Sequence, residues 1–522
     1  MEMIRTFTRR SGFRLAGIVI LLAVPALACS RDTAATENIS SLFRTDTATS
    51  RPVSPTAGES PQPTGTEPPT AYPSATLEPS STFPPTPTLR PHATPLPVVY
   101  FVQAGDTLRT VAIRFGVLPS DIRSVDKAAL PTDSLLTPNL QLIIPVSLAD
   151  TSDPTHLFPD SAIVYSPTFV NFDPIQFIHE QDGYLASYIQ GSGEIANGAE
   201  ILRQIAFNNS FSPKLLMALL ENESGWVTNK HPAADTLNYP LGNKDPNAMG
   251  LTAQLIWATN ILSIGYYGWR DASQLELTFA DGEVLRLAPE LNAGTVAILY
   301  FFSRTTADRL EWEHAVKDFC EVYQRLFGDP FDQAVEPLYS SELPLTEMEL
   351  PFPQGQEWAF TGGPHGAWEH DGARAALDFA PGDAPNCAVS SSWATASAAG
   401  LVVRSIGHVV VIDLDGDGYE QTGWNILYLH IAEKDHILNG THVEKDDRIG
   451  HPSCEGGIAT GTHIHIARKF NGEWILAGGP VPFVLSGWVA HAGEKPYEGT
   501  LVRDSHVVTA RAWATKELLV GR

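Results

Sequence analysis

Positive charge is scarce in this chain. It holds 34 Lys and Arg against 59 Asp and Glu, a formal net charge of −25 over 522 residues. Nucleic-acid binding needs clustered cationic side chains to neutralise phosphates, so no nucleic acid is expected as a partner. A broad basic surface for anionic lipid is excluded on the same ground. Cysteine is scarcer still: Cys29, Cys320, Cys387 and Cys454 are all there is. Long apolar runs are missing after residue 28, so no later segment reads as a membrane span. Apolar residues in general are not lacking, at 43%, which supports real cores and excludes wholesale disorder. A chain of this length predicts two to four domains.

What is present begins with an export signal. Arg5, Arg9, Arg10 and Arg14 precede an apolar run from Leu15 to Ala28. That run suits a signal h-region and is short of the roughly 20 residues of a spanning helix. It ends in Ala26-Leu27-Ala28-Cys29, which resembles a bacterial lipoprotein signal. The resemblance makes residues 1–29 the signal and Cys29 the lipidation site. An ordinary cleaved signal or an uncleaved anchor are the alternatives. In each case the chain is expected outside the cytoplasm, lipid-anchored to the membrane or secreted. That compartment permits disulfides, and Cys387 with Cys454 is the candidate bridge, because both fall in the C-terminal region. Cys320 lies in an apolar helical pattern and reads as a buried thiol.

Residues 30–97 are dominated by Ser, Thr, Pro and Ala. Such a stretch cannot bury enough surface to offset its ordering entropy, so it reads as a linker. Roughly 65 residues at about 3.1 Å each reach on the order of 200 Å when fully extended.

Residues 98–147 form a small α+β unit. Val99 to Val102 reads as a strand, and Ala104-Gly105-Asp106-Thr107-Leu108 turns into a helix that Asp106 or Thr107 caps. Leu108, Val111, Ala112 and Phe115 carry helical spacing. A second short helix is expected from Pro119-Ser120-Asp121, and Leu140 to Pro145 closes the unit as a strand. This resembles a LysM module. The resemblance implies a groove for N-acetylglucosamine-containing glycans, with Gly105, Asp106 and Thr107 beside it, and hence peptidoglycan as partner.

Residues 150–345 read as mainly helical. Ser212-Pro213 is a cap followed by proline in the first turn, and Leu215, Leu216, Leu219 and Leu220 share a face. Further helices fit Thr252–Ile264, Ala293–Ser303 and Trp312–Phe327. Glu223-Ser224-Gly225, Gly250 to Leu255 and Asn292-Ala293-Gly294-Thr295 stand in the order seen in lysozyme-like lytic transglycosylases. That resemblance implies a lysozyme-like fold with Glu223 as general acid/base, its pKa raised by an apolar setting. A capped helix whose Glu221 and Glu223 are merely solvated is the alternative.

Residues 350–522 change character to short alternating strands between Gly-rich turns, a mostly antiparallel β domain. Gly400–Arg404 and His408–Asp413 are two of these strands. His463-Ile464-His465 reads as part of a strand, where positions i and i+2 share a face, so both imidazoles can reach one site. His430 lies in Ile426-Leu427-Tyr428-Leu429-His430, another apolar strand. Upstream stand Gly362-Gly363-Pro364-His365 and Leu377-Asp378-Phe379. A hydrolytic zinc site takes three protein ligands and leaves one position open. These four blocks, in this order, resemble the lysostaphin-type and beta-lytic zinc metalloendopeptidases of peptidase family M23. The wide His365–Asp378 gap and Cys454 before Glu455-Gly456-Gly457 favour the beta-lytic branch. The resemblance makes His365, Asp378 and His465 the ligands of Zn2+, and His430 and His463 the unligated catalytic histidines. His370-Asp371 competes for the first ligand position. His408, His451 and His491 read as structural.

Asp413-Leu414-Asp415-Gly416-Asp417-Gly418 alternates carboxylates with glycine at the sixth place, as the first half of a calcium loop does. The twelfth place holds Trp424, so it is not an EF-hand. A polar hairpin is the favoured reading and a calcium site the alternative. The whole chain thus reads as an exported cell-wall hydrolase cutting peptide bonds in peptidoglycan. A non-catalytic wall-binding scaffold and a glycan-cleaving enzyme using Glu223 are the rivals.

Overall fold

The structure is a computed structural model that describes residues 97–522, except 146–147, 149, 191–196, 345 and 369–370. The expected signal with Cys29, and the linker up to residue 96, lie outside the described residues. No helix among the described residues is long and apolar enough to cross a membrane.

The first unit pairs β1 (Pro97–Phe101), β2 (Arg123–Ser124) and β3 (Gln141–Pro145) as an antiparallel sheet in the order β1-β3-β2. Helix α1 (Leu108–Phe115) packs on it through Val111, Ala112 and Phe115. Thr107 is the cap, its hydroxyl accepting from the Thr110 amide at 3.1 Å. Pro119–Asp121 is a single 3₁₀ turn rather than the helix expected there. Three residues are too few to close an α-helical ladder.

The middle region supplies α2 (Gly198–Asn209), α3 (Pro213–Ser224), α4 (Leu251–Arg270), α5 (Ala293–Ser303) and α6 (Arg309–Phe327). Asn197, Ser212, Asn292 and Asp308 each accept from the backbone amide three residues on, which satisfies a donor the helix itself cannot. Helix α4 runs past the expected Ile264 to Arg270, where the buried guanidinium is held by carboxylates of two other segments.

The C-terminal region builds an antiparallel sheet from β4 (Glu357–Gly366), β5 (Arg374–Ala380), β6 (Gly400–Ile406), β7 (Val409–Asp413), β8 (Trp424–Leu429), β9 (His442–Val443), β10 (Ile464–Phe470) and β11 (Leu519–Gly521). Its order is β9-β6-β7-β8-β10-β5-β4-β11. Both faces are covered. Val409, Val411, Leu427, Ala467 and Ala376 join the helical core. The alternate residues Val410, Ile412, Ile426, Ile466 and Leu377 form a second core, to which a four-stranded sheet at 484–509 contributes Leu485, Trp488 and Leu501. A strand buried on both sides reads as a nearly unbroken apolar run, which is what β7 and β8 show.

Polar joints lock the helical layer to the sheet. Arg270 Nη2 lies 2.8 Å from Asp160 and 2.7 Å from Glu473, which sits just beyond β10. Tyr266 and Tyr339 also donate to Glu473, at 2.8 and 2.9 Å. Arg270 reaches the Ala104 carbonyl of the first unit too. Lys469 and Arg404 pair with the buried Glu420, and Arg404 also donates to Asn208 of α2.

Candidate metal centre

Strand register brings the site together. His465 of β10 lies directly across from Asp378 of β5, and Gly362 of β4 lies across from Asp378 on the other side. A side chain at Gly362 would strike the Asp378 carboxylate, so the glycine is what lets that carboxylate lie down toward the histidines. His365 follows three residues later on β4, beyond an irregularity in the pairing.

Three donor atoms converge. His365 Nε2 and His465 Nδ1 are 3.0 Å apart, and they lie 3.3 and 3.4 Å from Asp378 Oδ1. Tetrahedral zinc with bonds of about 2.0–2.1 Å needs its ligand atoms about 3.3–3.4 Å from one another. All three residues are buried, and Asp378 Oδ1 has no hydrogen-bond partner. An orphaned buried oxygen costs about 1–3 kcal/mol, a cost that a bound cation removes. The residues present therefore fit the ion that the motif implies.

The tautomers fit as well. His365 Nδ1–H donates to the Gly363 carbonyl at 2.8 Å, leaving Nε2 as a lone pair. His465 Nε2–H donates to the Ala367 carbonyl at 2.9 Å, leaving Nδ1 free. Such anchoring fixes the ring and raises ligand basicity. His430 and His463 follow the same rule, donating from Nδ1 to Glu455 and Gly461 carbonyls at 2.9 and 2.7 Å. Their Nε2 atoms are left for chemistry. Their rings lie 4.5 Å apart, and His463 Nε2 is 3.7 Å from Asp378 Oδ1.

Electrostatics separate the histidines. Burial leads in every case. It lowers His465, and together with His463 and His465 it pushes His430 down to about 3. At His365 burial is outweighed by Asp378, and the shift is upward. At Asp378 burial is outweighed by His365 and His463, which hold its carboxyl well below the usual range.

Two positions differ from the sequence expectation. His430 is not in β8 but just past it, at φ 67°, a left-handed backbone for a non-glycine residue. Such conformations cluster at functional sites. His463 likewise precedes β10 and is held by a bridge to Ser453. Cys387 and Cys454 are joined in a disulfide. It ties together the segments that carry the Glu455 carbonyl and the Asn386 carbonyl, the latter accepting from Thr462. His370 lies outside the described residues, and Asp371 is exposed. His408 pairs with Glu455, His451 donates to Ser392, and His491 is exposed.

The centre opens into a cleft of about 660 Å³. Its walls include Trp368, the 456–462 loop, Tyr497 and Trp513. Tyr497 was not singled out from sequence. Its ring stacks on His365 at 4.1 Å, and burial pushes its phenol up to about 12. It lies in a turn over 130 residues downstream, where no motif marked it. Trp513 is 76% exposed, which leaves a large aromatic surface at the cleft edge.

The remaining expected site residues are used differently. Asp106 is fully buried and accepts from Tyr100, the Gln103 amide and Arg114 at 2.7, 2.9 and 2.7 Å. Its carboxylate works inside the fold and is not presented to a glycan. Gly105 lies against Arg270 and Tyr339. Gly105 and Thr107 line a cleft of about 410 Å³ shared with the helical layer and the segment after β10. Glu221 is not solvated, against the alternative reading of this helix: it is buried and accepts from Val227, Thr228 and the Thr228 hydroxyl. Burial raises the Glu223 carboxyl. Gln254 is fully buried and spent on the 241–248 loop. Cys320 is half-buried and free. Asp413, Asp415 and Asp417 form a second group of converging carboxylates, where burial and then Asp413 and Asp417 push Asp415 up to about 7.

Similarity to known proteins follows the same division. A family model described as LasA, N-terminal domain, matches residues 156–339, the stretch likened above to lysozyme-like transglycosylases. The chain is 27% identical over 298 residues to Protease LasA of Pseudomonas aeruginosa strain UCBPP-PA14, covering 52% of this chain and 65% of that protein. It is 27% identical over 158 residues to Beta-lytic metalloendopeptidase of Achromobacter lyticus, covering 29% of this chain and 40% of that protein. The chain thus spans less than two thirds of the length of either relative. Among solved structures, the deep-sea M23 metalloprotease pseudoalterin is 21% identical, with 32% of this chain and 95% of that chain covered and a TM-score of 0.27. The sequence relatives support a peptidase.

Proposed function

We propose that the chain is an exported zinc-dependent endopeptidase that cuts peptide bonds in peptidoglycan stems or cross-bridges. The observation that carries this reading is the triangle of His365 Nε2, Asp378 Oδ1 and His465 Nδ1, with an orphaned carboxylate oxygen at one corner. These three residues would hold the zinc, which when bound polarises a carbonyl and activates water for attack. His430, kept neutral by burial, is able to accept a proton at Nε2 from the attacking water. His463 Nε2 faces the same space and, once the ring carries a second proton, can donate a hydrogen bond to the oxygen on which negative charge develops. Tyr497 braces the His365 ring. The open cleft, with small residues along 456–462, admits an extended peptide between Trp368 and Trp513.

The test is to incubate the purified chain with peptidoglycan and count new amino termini by mass spectrometry. No new termini from protein that holds zinc in stoichiometric amount would sink the reading and favour a non-catalytic wall-binding scaffold. Zinc content no higher in wild type than in His465→Ala would favour the scaffold too.

Two further parts rest on sequence likeness. The LysM-like unit at 98–147 would anchor the enzyme to glycan through the cleft beside Thr107, and sedimentation with peptidoglycan after deleting 97–147 tests this. Lipid on Cys29, or secretion, would place the enzyme outside the cytoplasm at the wall, and metabolic labelling with a fatty acid distinguishes the two. A second reading, glycan cleavage through Glu223, is favoured by the burial that raises its carboxyl. Loss of sugar fragments from wall digests with Glu223→Gln would support it.

A further inference from the structure

We propose that the hairpin joining β7 to β8 is a calcium site built from Asp413, Asp415, Asp417 and the side-chain oxygen of Asn425. The three carboxylates each offer an oxygen within 4.8 Å of the others. Acidic clusters are common on surfaces, and alone this one would say little. Asn425 is the independent observation. It pairs directly with Asp413 across the β7–β8 ladder, so the two side chains stand side by side on one face at the hairpin base. Asn425 is fully buried. Its Nδ2 donates to the Thr422 carbonyl at 2.8 Å, which turns the amide toward the hairpin. Its Oδ1 is buried and accepts from nothing. A buried amide oxygen without a donor is costly, and a cation held by the adjacent carboxylates supplies what it lacks.

The donor set is all oxygen, which suits a hard cation and not zinc. Charge points the same way. Glu420, the other acid of the hairpin, is already matched by Arg404 and Lys469. The charges that act most on Asp415 are those of Asp413 and Asp417. The Asp413 carboxylate is fixed in place by the amides of Asp415, Gly416 and Gly418, which donate to it at 3.2, 3.2 and 2.8 Å. Trp424 is not the acidic twelfth residue of an EF-hand, and Asn425, one place later, takes over that corner with a neutral oxygen. Fewer charges predict weak binding, with a Kd of about 10⁻⁴–10⁻³ M as in extracellular modules.

The ion would brace a joint. Trp424 Nε1–H donates to the Pro344 carbonyl and the Gly423 amide to Asn471, so the hairpin is clasped from both sides, far from the histidines at the other end of β8. Calcium is therefore structural and leaves peptide cleavage unchanged.

Terbium titration of the full chain, read by emission sensitised from Tyr419 and Trp424, tests the proposal. One saturable terbium per chain, displaced by calcium, is expected. Asp417→Asn weakens it at least tenfold without changing zinc content or peptidase activity. Asn425→Asp tightens calcium binding several-fold while lowering Tm in its absence, a change opposite in sign to any general damage. Calcium up to about 10 mM, ten times the upper expected Kd, raises Tm of wild type and not of Asp417→Asn. Terbium emission that is not saturable, or that Asp417→Asn leaves unaltered, overturns the proposal, as does a calcium affinity untouched by Asn425→Asp.

Discussion

Two buried polar clusters sit on the helix-facing side of the large sheet and are wired in opposite ways. Around Arg270, each donor has an acceptor: Asp160, Glu473, Tyr266, Tyr339 and the Ala104 carbonyl close the network on themselves. Around Asp378, four imidazoles are each tied down at one nitrogen and left open at the other, and a carboxylate oxygen has no partner. The first cluster is complete as it stands and holds the helical layer to the sheet. The second is complete only with something added. Both clusters are buried. What tells a joint from a reaction centre is the count of unspent lone pairs.

The comparison can be broken at either cluster. The largest effect is expected at the open one: His465→Ala, or stripping with a chelator, abolishes zinc binding and lowers cleavage at least about 10⁴-fold, while the fold by circular dichroism is kept. His430→Ala should cost about 10²–10⁴ in kcat with zinc content unchanged by elemental analysis. At the closed cluster, Arg270→Met leaves Asp160 and Glu473 facing each other's charge without a cation. Breaking a buried pair costs about 3–5 kcal/mol, read as a lower denaturant midpoint, whereas zinc bound by the folded fraction stays at one per chain. A midpoint unmoved by Arg270→Met would remove the distinction drawn above. Reducing Cys387–Cys454, 67 residues apart, removes about 4 kcal/mol by loop entropy. It should also loosen the segments around His430 and His463, so kcat falls before zinc is lost.

The smallest effect concerns Glu223. Burial raises its folded pKa, so its favourable contribution is present below the unfolded value of about 4.3 and is lost as pH rises through the folded value. Glu223→Gln removes that dependence. Stability at pH 7 should stay level or rise, within about 1 kcal/mol, and peptide cleavage should not change.

Much of the centre was legible because its ligands come in short local patterns. His463 and His465 share a strand-like block, and Gly362 to His365 is a compact motif. The helices announced themselves where a cap and a spaced apolar face coincide, as at Ser212-Pro213. Other features depend on contacts that no local pattern carries. Tyr497 reaches His365 from a turn of Gly, Lys and Pro. Asp106 looked like a turn residue and is instead the buried partner of Arg114. Arg270 lengthens α4 only because Glu473, some 200 residues away, waits for it. Glu221 and Glu223 are two residues apart and look equivalent in sequence, yet one caps a loop and the other is pressed by burial. The likeness to lysozyme-like transglycosylases rested on Glu223-Ser224-Gly225 and on blocks holding Gln254 and Asn292, and the last two side chains are spent on the 241–248 loop, on Phe158 and on the Thr295 amide.

The four imidazoles are oriented by carbonyls of Gly363, Ala367, Glu455 and Gly461, and a carbonyl is the same whatever residue bears it. The side chains at Ala367 and Glu455 thus take no part in orienting the rings; Ala367 is packed in the core and Glu455 pairs with His408. A designer, or drift over generations, could repaint the rim of this cleft for a different peptide and leave the chemistry beneath untouched.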